Sequence, residues 1–359
     1  MRKGYLVFLL MLFVLSVGGC QRHIKVEPAC IGHEDEIVRE GDFVVLADRR
    51  IFAVMAFINA MGFDSEVEGK QMHPVRVRVR ELVREKAAKH SEEFDKWKQF
   101  YKKAKLATFH YQDFALSLSM DYPFRRIRPD SELGYPFTAQ RLAAFPTVLN
   151  EFWETADLDT IWAEVKPSYL EEIHKYDFDK MKHQLVFIWD YLRMERKDRF
   201  VFVSVPNFLD MHYSAIGAKY ENYWYMVESP GAGSHGLNVH EYLHSIVNPL
   251  VEDNYQAYCE KLNKYFEAGK GQPLAKNYGH PVTYTFECLV RALDHRLRVL
   301  LEDNPTTTKR CENRIVYLTQ NGLTLVEPFY QLLRKYEQSD KNFERFFPMM
   351  LDLLPEYSK

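Results

Sequence analysis

The spacing of apolar residues divides the chain into a helical first part, a short β-rich stretch and a helical last part. Apolar positions recur at helical spacing in 50–61, 78–104, 139–154 and 169–193. The pattern changes at 199–205, and helical spacing returns after residue 254 and continues to about 354. We therefore expect an α+β fold that is predominantly helical, with a small β-sheet between its helical parts.

Three segments of the β-rich stretch predict strands: 199–205, 215–220 and 223–227. The third segment, 223–227, consists of Tyr, Trp, Met and Val residues and gives the strongest β signal. It is our candidate for an exposed sheet edge, where an extended peptide can add through main-chain hydrogen bonds. A buried central strand is the alternative that the same residues allow.

Five residues that begin about a dozen positions after this stretch, 240–244, read H-E-Y-L-H. On a helix, His240 and His244 stand on one face and can bind a single zinc ion. Glu241 lies about 100° round the helix and can reach a water on that metal. Zinc lowers the pKa of this water, and the glutamate takes its proton as general base and returns it as general acid. The motif predicts one Zn²⁺ per chain; the alternative is a solvated helix with two incidental histidines.

The residues around the motif indicate where its helix begins and ends. Val239, Leu243 and Ile246 form an apolar face beside the histidines. The turn-rich segment 229–234 can precede a helix start. Pro249 disfavours helical backbone at the residue before it, so we expect the helix to end near Val247.

The stretch 239–249, V-H-E-Y-L-H-S-I-V-N-P, resembles a family of bacterial secreted proteins of unassigned function. That family carries an H-E-x-x-H-x-x-x-N-P signature and is similar to the zincin metallopeptidases. The resemblance extends from about residue 48 to about residue 301. It implies a zincin-like catalytic core of gluzincin type, in which the third zinc ligand is a glutamate on a later helix. The matching position is Glu287.

The residues around Glu287 agree with this role and also allow another. Glu287 lies in a segment, 282–300, whose apolar residues have helical spacing. Arg291 follows one turn later, so Glu287 is either a metal ligand or half of an i,i+4 ion pair. The other possible ligands are Glu252, Asp253, His280 and Asp294. Of these, Glu252 and Asp253 are better suited to begin the next helix.

Peptide hydrolysis also needs a donor for the oxyanion that forms on the attacked carbonyl. Tyr278, His280 and Tyr284 precede Glu287 closely, and His235 precedes the zinc helix. We favour Tyr278 or His280 as this catalytic donor. Each is also compatible with an ordinary packing or surface role.

The N-terminus predicts export and a lipid anchor. Arg2 and Lys3 precede an apolar stretch at 5–17, and Gly18-Gly19-Cys20 follows. This resembles a bacterial lipobox, which would make Cys20 the lipidated first residue of the mature protein. The alternatives are an ordinary signal peptide or an uncleaved anchor. With Gln21 next, we expect a cell-envelope lipoprotein, in the outer membrane if the host has one.

The composition and the changes of pattern along the chain suggest how it is divided. Apolar residues form 47% of the 359 residues, enough for a large core. We expect a signal peptide at 1–20, a polar tether at 21–40, a helical N-terminal lobe at 41–197 and the zincin-like core at 198–355. The formal net charge of −3 and the lack of a broad basic field argue against nucleic-acid partners.

Four cysteines follow Cys20, at positions 30, 259, 288 and 311. An exported protein can form disulfides, and four thiols allow three pairings. Their spacing requires none, and we expect Cys288 to be buried.

Together these features predict a membrane-anchored zinc peptidase whose substrate is a peptide or protein. A rival hypothesis keeps the zincin fold in a non-catalytic lipoprotein for surface binding or assembly. A third assigns the same site to an acyl or amide hydrolase acting on a non-peptide. A binding protein does not need Glu241, and this favours the enzyme.

Overall fold

The computed structural model describes residues 33–196, 200–233 and 235–357 and has an α+β architecture. The five strands are β1 (Ile37–Glu40), β2 (Phe43–Leu46), β3 (Val201–Pro206), β4 (Ala215–Tyr220) and β5 (Tyr223–Glu228). The helices before β3 are α1 (Arg49–Ala60), α2 (Pro74–Ala87), α3 (Ser91–Ala104), α4 (Thr108–Ala115), α5 (Thr138–Arg141), α6 (Phe145–Thr155), α7 (Leu158–Ile173) and α8 (Phe178–Leu192). Those after β5 are α9 (Val239–Gly269), α10 (Pro281–Glu302), α11 (Pro305–Gln320), α12 (Val326–Glu337) and α13 (Phe343–Leu353). The expected predominance of helix is confirmed.

The longer helical stretches that the apolar spacing predicts are each divided into two helices. The stretch 78–104 is α2 and α3, with a break at His90, whose backbone is not helical (φ −131°, ψ 41°). The stretch 169–193 is the end of α7 followed by α8. Asp177 begins α8 because its carboxylate accepts the amide N–H of Lys180.

The strands form one sheet in the order β1-β2-β3-β5-β4. Strands β2, β3 and β5 are parallel to one another, and β1 and β4 pair antiparallel at the two ends. The expected edge at 223–227 is therefore wrong, because β5 is a central strand and is buried along its whole length. A continuous apolar run is typical of a strand covered on both faces. The edge near the H-E-x-x-H helix is β4.

The sheet joins residues of the expected tether and N-terminal lobe to residues of the expected zincin-like core. Strand β2 pairs with β3, so the sheet crosses the expected boundary between 197 and 198. Part of the expected tether is folded, since β1 lies within 21–40. Just before β1, Glu36 is buried and pairs with Arg49 (2.7 Å) and Lys166 (3.1 Å). These distant partners, which the local sequence does not reveal, allow an acidic segment to join the core.

Helix α9 carries the H-E-x-x-H residues and continues through Pro249 to Gly269, so the expected end near Val247 is wrong. A proline inside a helix costs about 3 kcal/mol, because a hydrogen bond is lost and the ring meets the preceding turn. Val247, Val251 and Leu262 are buried, and α9 packs against α10. Burial of such side chains contributes about 1.5 to 3 kcal/mol each, which outweighs the proline.

The predicted signal peptide, the predicted lipidation site Cys20, and Cys30 lie outside the described residues. None of the helices that the structure describes combines the length and apolar character of a membrane span. The three described cysteines, Cys259, Cys288 and Cys311, are free thiols, and Cys288 is buried as expected.

Candidate metal centre

The first turns of α9 are fixed by a cap and by the buried side chains between the histidines. The side chain of Asn238 accepts the amide N–H of Glu241 (3.2 Å) and caps the helix. Tyr242 is buried, accepts the indole N–H of Trp189 (2.8 Å) and packs on Phe202 of β3. With this face held in the core, the opposite face leaves the histidine side chains partly exposed.

Three side chains from α9 and α10 converge at this face. His240 Nε2 lies 3.7 Å from Glu287 Oε1, and His244 Nε2 lies 3.6 Å from Glu287 Oε2. The three ligand atoms lie within 4.8 Å of one another. A four-coordinate metal at about 2.0 to 2.1 Å from its ligands separates them by roughly 3.3 Å. Small side-chain movements would close that gap, so this group could hold a metal ion.

Glu287 is both part of this group and half of an ion pair with Arg291. Arg291 Nε lies 2.6 Å from Glu287 Oε1. Burial alone would raise the pKa of Glu287, but Arg291 and the two histidines outweigh it and lower that pKa to about 2. The carboxylate is therefore ionised at neutral pH, as a metal ligand must be. The two roles that the sequence leaves open for Glu287 are compatible.

The histidines present the nitrogen atoms that a metal needs. His244 Nδ1 lies 3.0 Å from Asn248 Oδ1, an oxygen that can only accept, so Nδ1 carries the proton and Nε2 is free. Burial lowers the pKa of His240, which keeps its imidazole neutral. Asn248 is the asparagine of the H-E-x-x-H-x-x-x-N-P sequence. Its side chain fixes the tautomer of the second histidine.

Glu241 lies against the edge strand β4. A Cβ atom placed on Gly217 would lie 3.2 Å from Glu241 Oε2 and 3.3 Å from the Glu241 carbonyl oxygen. Glycine suits this close approach, because a side chain here would force its neighbours to move by a few tenths of an ångström. The carboxylate that the motif assigns to proton transfer therefore lies beside the strand that ends the sheet.

Tyr278 is the one oxyanion candidate that lies beside the metal ligands. Its hydroxyl interacts with Glu287 and Arg291. Burial first, and then the charge of Glu287, raise the pKa of Tyr278, so its hydroxyl keeps its proton. Its role as oxyanion donor stays a prediction.

The other oxyanion candidates lie in different surroundings. His280 is exposed and caps α10 through Nδ1, about 10 Å before Glu287 along the helix axis. Tyr284 is buried, and its hydroxyl donates to the carbonyl oxygen of Gly322 (2.8 Å). His235 pairs with Glu172 (2.8 Å).

The competing metal ligands do not join the cluster. Glu252 and Asp253 are exposed within α9 rather than at the start of another helix, because α9 does not stop at Pro249. Asp294 pairs with Arg298 (3.4 Å). His280 remains at the start of α10. Among the described residues, the grouped ligands are His240, His244 and Glu287.

A tyrosine from the N-terminal half interacts with the charges of the centre. Tyr135 lies in the loop before α5, and burial and the charges of Asp113, Glu241 and Glu287 raise its pKa to about 12. The charges of both carboxylates of the centre therefore act on its hydroxyl. Tyr135 is 40% exposed.

The sequence reasoning missed three contributors. For Asn248, the signal was its position in the signature, one turn after His244. For Gly217, the signal was a glycine inside a predicted strand, which often marks a close approach of another element. For Tyr135, we find no local signal, since the residue meets the centre only through the fold.

Comparison with known proteins finds no match of the chain with a family model, a curated protein or a solved structure.

Proposed function

We propose that the protein is a zinc-dependent peptidase of gluzincin type. The observation that carries this proposal is the convergence of His240, His244 and Glu287, with Glu241 beside the open strand β4. Two imidazoles and a carboxylate are a common ligand set of catalytic zinc. The resemblance of 239–249 to zincin-like proteins supports the same conclusion.

Each residue has a distinct task in this proposal. His240, His244 and Glu287 would hold the ion, which when bound would polarise the carbonyl and acidify the attacking water. Glu241 takes the proton of that water and passes it to the leaving amine. Arg291 and Tyr278 hold the carboxylate of Glu287, and Asn248 orients His244.

Strand β4 supplies the means of holding a peptide. It ends the sheet, and half of the backbone N–H and C=O groups of an edge strand face away from its partner strand. An extended peptide can pair with these groups, which places its carbonyls beside Glu241. This geometry favours a peptide bond over a small non-peptide ester as the substrate.

Replacement of Glu241 by Gln tests the proposed chemistry. Gln cannot accept the proton, so hydrolysis of a mixed peptide library should fall by at least about 100-fold. The metal content should stay equal to that of the parent, because Glu241 is not a ligand. Unchanged hydrolysis in the Glu241→Gln variant would refute the role. Absence of hydrolysis in the parent with zinc bound would favour the non-catalytic binding lipoprotein.

The N-terminal sequence adds a location to the proposal. Gly18-Gly19-Cys20 after an apolar stretch would attach the peptidase to the cell envelope through a lipid on Cys20. Labelled palmitate should enter the parent protein and not the Cys20→Ser variant. Equal labelling of both would refute the anchor.

A further inference from the structure

An exposed aromatic cluster lies on α4 and in the loop that leads into α5. Its members are Phe109 and His110 of α4, Tyr135, and Phe137 at the start of α5. The ring centroid of Tyr135 lies 5.3 Å from that of Phe109 and 4.8 Å from that of His110. The ring centroids of His110 and Phe137 are 5.2 Å apart. Phe137 is 49% exposed and Phe109 38%. Grouped rings that remain this accessible are typical of a binding surface.

The aromatic cluster is fixed to the edge strand by one buried carboxylate. Asp113 accepts the amide N–H groups of Gly134 (3.2 Å) and Tyr135 (3.3 Å). It also accepts the hydroxyl of Tyr220, the last residue of β4 (2.9 Å). The aromatic cluster therefore has a fixed place at the end of β4.

The distance along β4 relates the aromatic cluster to the metal centre. Gly217 contacts Glu241, and Tyr220 lies three residues later, about 10 Å along a strand. A peptide paired with β4 advances by the same rise per residue. The peptide residue whose side chain reaches the aromatic cluster therefore lies within about three positions of the peptide bond that is beside Glu241. The effect of the Glu241 and Glu287 charges on the hydroxyl of Tyr135 agrees with this placement.

We propose that the aromatic cluster is a specificity subsite that takes a bulky apolar side chain, preferably aromatic, of a peptide paired with β4. This inference rests on the proposed peptidase function and names its substrate class. Ring edges and faces pack best on another ring or a branched aliphatic chain. Arg141 lies over the Phe137 ring (5.4 Å to its centroid), so its cation covers the ring rather than providing a separate anion site.

The cleavage profile of a random peptide mixture, read by mass spectrometry, tests the subsite. The parent protein should enrich Phe, Tyr, Trp or Leu at one position within three residues of the cleaved bond. Phe137→Ala and Phe109→Ala should each reduce this preference by about tenfold, because a large apolar contact is lost. Tyr317→Ala, which removes a similarly exposed ring (46%) on α11, is the matched control and should leave the profile unchanged.

A second variant separates the ring of Tyr135 from its hydroxyl. Tyr135→Phe keeps the ring and should keep the preference for bulky side chains. Loss of the preference in Tyr135→Phe, with none in Phe137→Ala, would overturn the subsite and assign recognition to the hydroxyl.

The remaining outcomes distinguish the subsite from the peptidase itself. Hydrolysis with no enrichment, or with an enrichment that Phe137→Ala leaves unchanged, would overturn the subsite while the peptidase stands. If the parent hydrolyses nothing, fluorescent Phe-containing and Ala-containing peptides are compared for binding to the zinc-loaded Glu241→Gln variant. Binding that prefers Phe and is lost in the double variant with Phe137→Ala supports the aromatic cluster as a peptide site. Equal binding or none overturns it together with the peptidase.

Discussion

Polar partners outside the centre position two of its three ligands, His244 and Glu287. Asn248 holds the Nδ1 proton of His244, and Arg291 and Tyr278 hold the carboxylate of Glu287. Such outer partners orient ligands before a metal arrives and tune its affinity. The sequence could predict the two histidines and Glu241 from their spacing. It could propose Glu287 only through resemblance and a helical pattern, because the contact between α9 and α10 is made by the fold.

Loss of the Asn248 side chain should weaken metal binding. In Asn248→Ala, His244 loses its Nδ1 partner, and we expect zinc affinity to fall by about 10- to 100-fold. Competition with a chelator of known affinity measures this. Asn248→Asp keeps an acceptor and should lose less. Asn254→Ala, which removes another side-chain hydrogen bond of α9, is the control. Equal affinity in Asn248→Ala and the parent would show that the contact does not orient the ligand.

Glu228, at the end of β5, predicts a pH dependence of stability. Burial outweighs its hydrogen bonds to Tyr176 and Asn238 and raises the pKa of Glu228 to about 7. The unfolded chain ionises this group near pH 4.5, whereas the folded protein keeps it protonated up to about pH 7. The unfolded state therefore binds fewer protons in this window, and stability falls as the pH rises through it. The total loss is about 3 kcal/mol and is complete above pH 7.

The Glu228→Gln variant isolates this effect because it cannot ionise. Urea unfolding is measured in chelator, so that metal release at low pH plays no part. The free energy of unfolding of the parent, relative to the variant, should fall by about 3 kcal/mol between pH 4.5 and pH 8. A difference that is constant with pH, or that grows in favour of the parent, would contradict the raised pKa.

At the scale of elements, the residues that form a strand were easier to predict than the place of that strand in the sheet. Segment 215–220 is β4, as the sequence predicted. The edge was assigned to the wrong segment, although the unbroken apolar run of β5 is typical of a central strand. The sequence signal of β4 is weaker because Gly217 and Lys219, which are both exposed, interrupt its run of apolar residues. Similarly, Pro249 predicted a helix end that packing against α10 overrides.

The closeness of β4 and α9 predicts the effect of a single methyl group. In Gly217→Ala, the new Cβ would lie 3.1 Å from the Trp224 ring and 3.2 Å from Glu241 Oε2. The Glu241 side chain must shift by a few tenths of an ångström, so we expect kcat/KM for peptide hydrolysis to fall by about tenfold. Metal content should not change.

Gly271→Ala is the matched control for this prediction. A Cβ at Gly271 meets no atom within 4 Å, so hydrolysis should equal that of the parent. Equal activity of the two alanine variants would show that the contact between β4 and Glu241 does not matter to turnover. Loss of metal in Gly217→Ala would instead place the damage at the ligands.

At the scale of the whole molecule, the centre depends on segments that are distant in the chain. Strand β2 pairs with β3, Asp113 ties the loop of Tyr135 to β4, and α10 brings Glu287 to α9. Apolar spacing predicts the helices and strands one at a time. It does not contain these pairings, because each is decided by burial and by hydrogen bonds between parts far apart in sequence. The α+β, mostly helical class was therefore predictable, and the tie between the Tyr135 loop and β4 was not.

The number of zinc ions per chain, measured by elemental mass spectrometry, tests the central claim most directly. The parent, Glu287→Ala and the control Glu252→Ala, an exposed acid of α9, are reconstituted with zinc and dialysed together. Circular dichroism checks that each is folded. We expect one zinc per chain in the parent and in Glu252→Ala, and a clear loss in Glu287→Ala, because two histidines alone hold the ion weakly. No zinc in the folded parent, or equal zinc in all three proteins, would contradict the three-ligand centre.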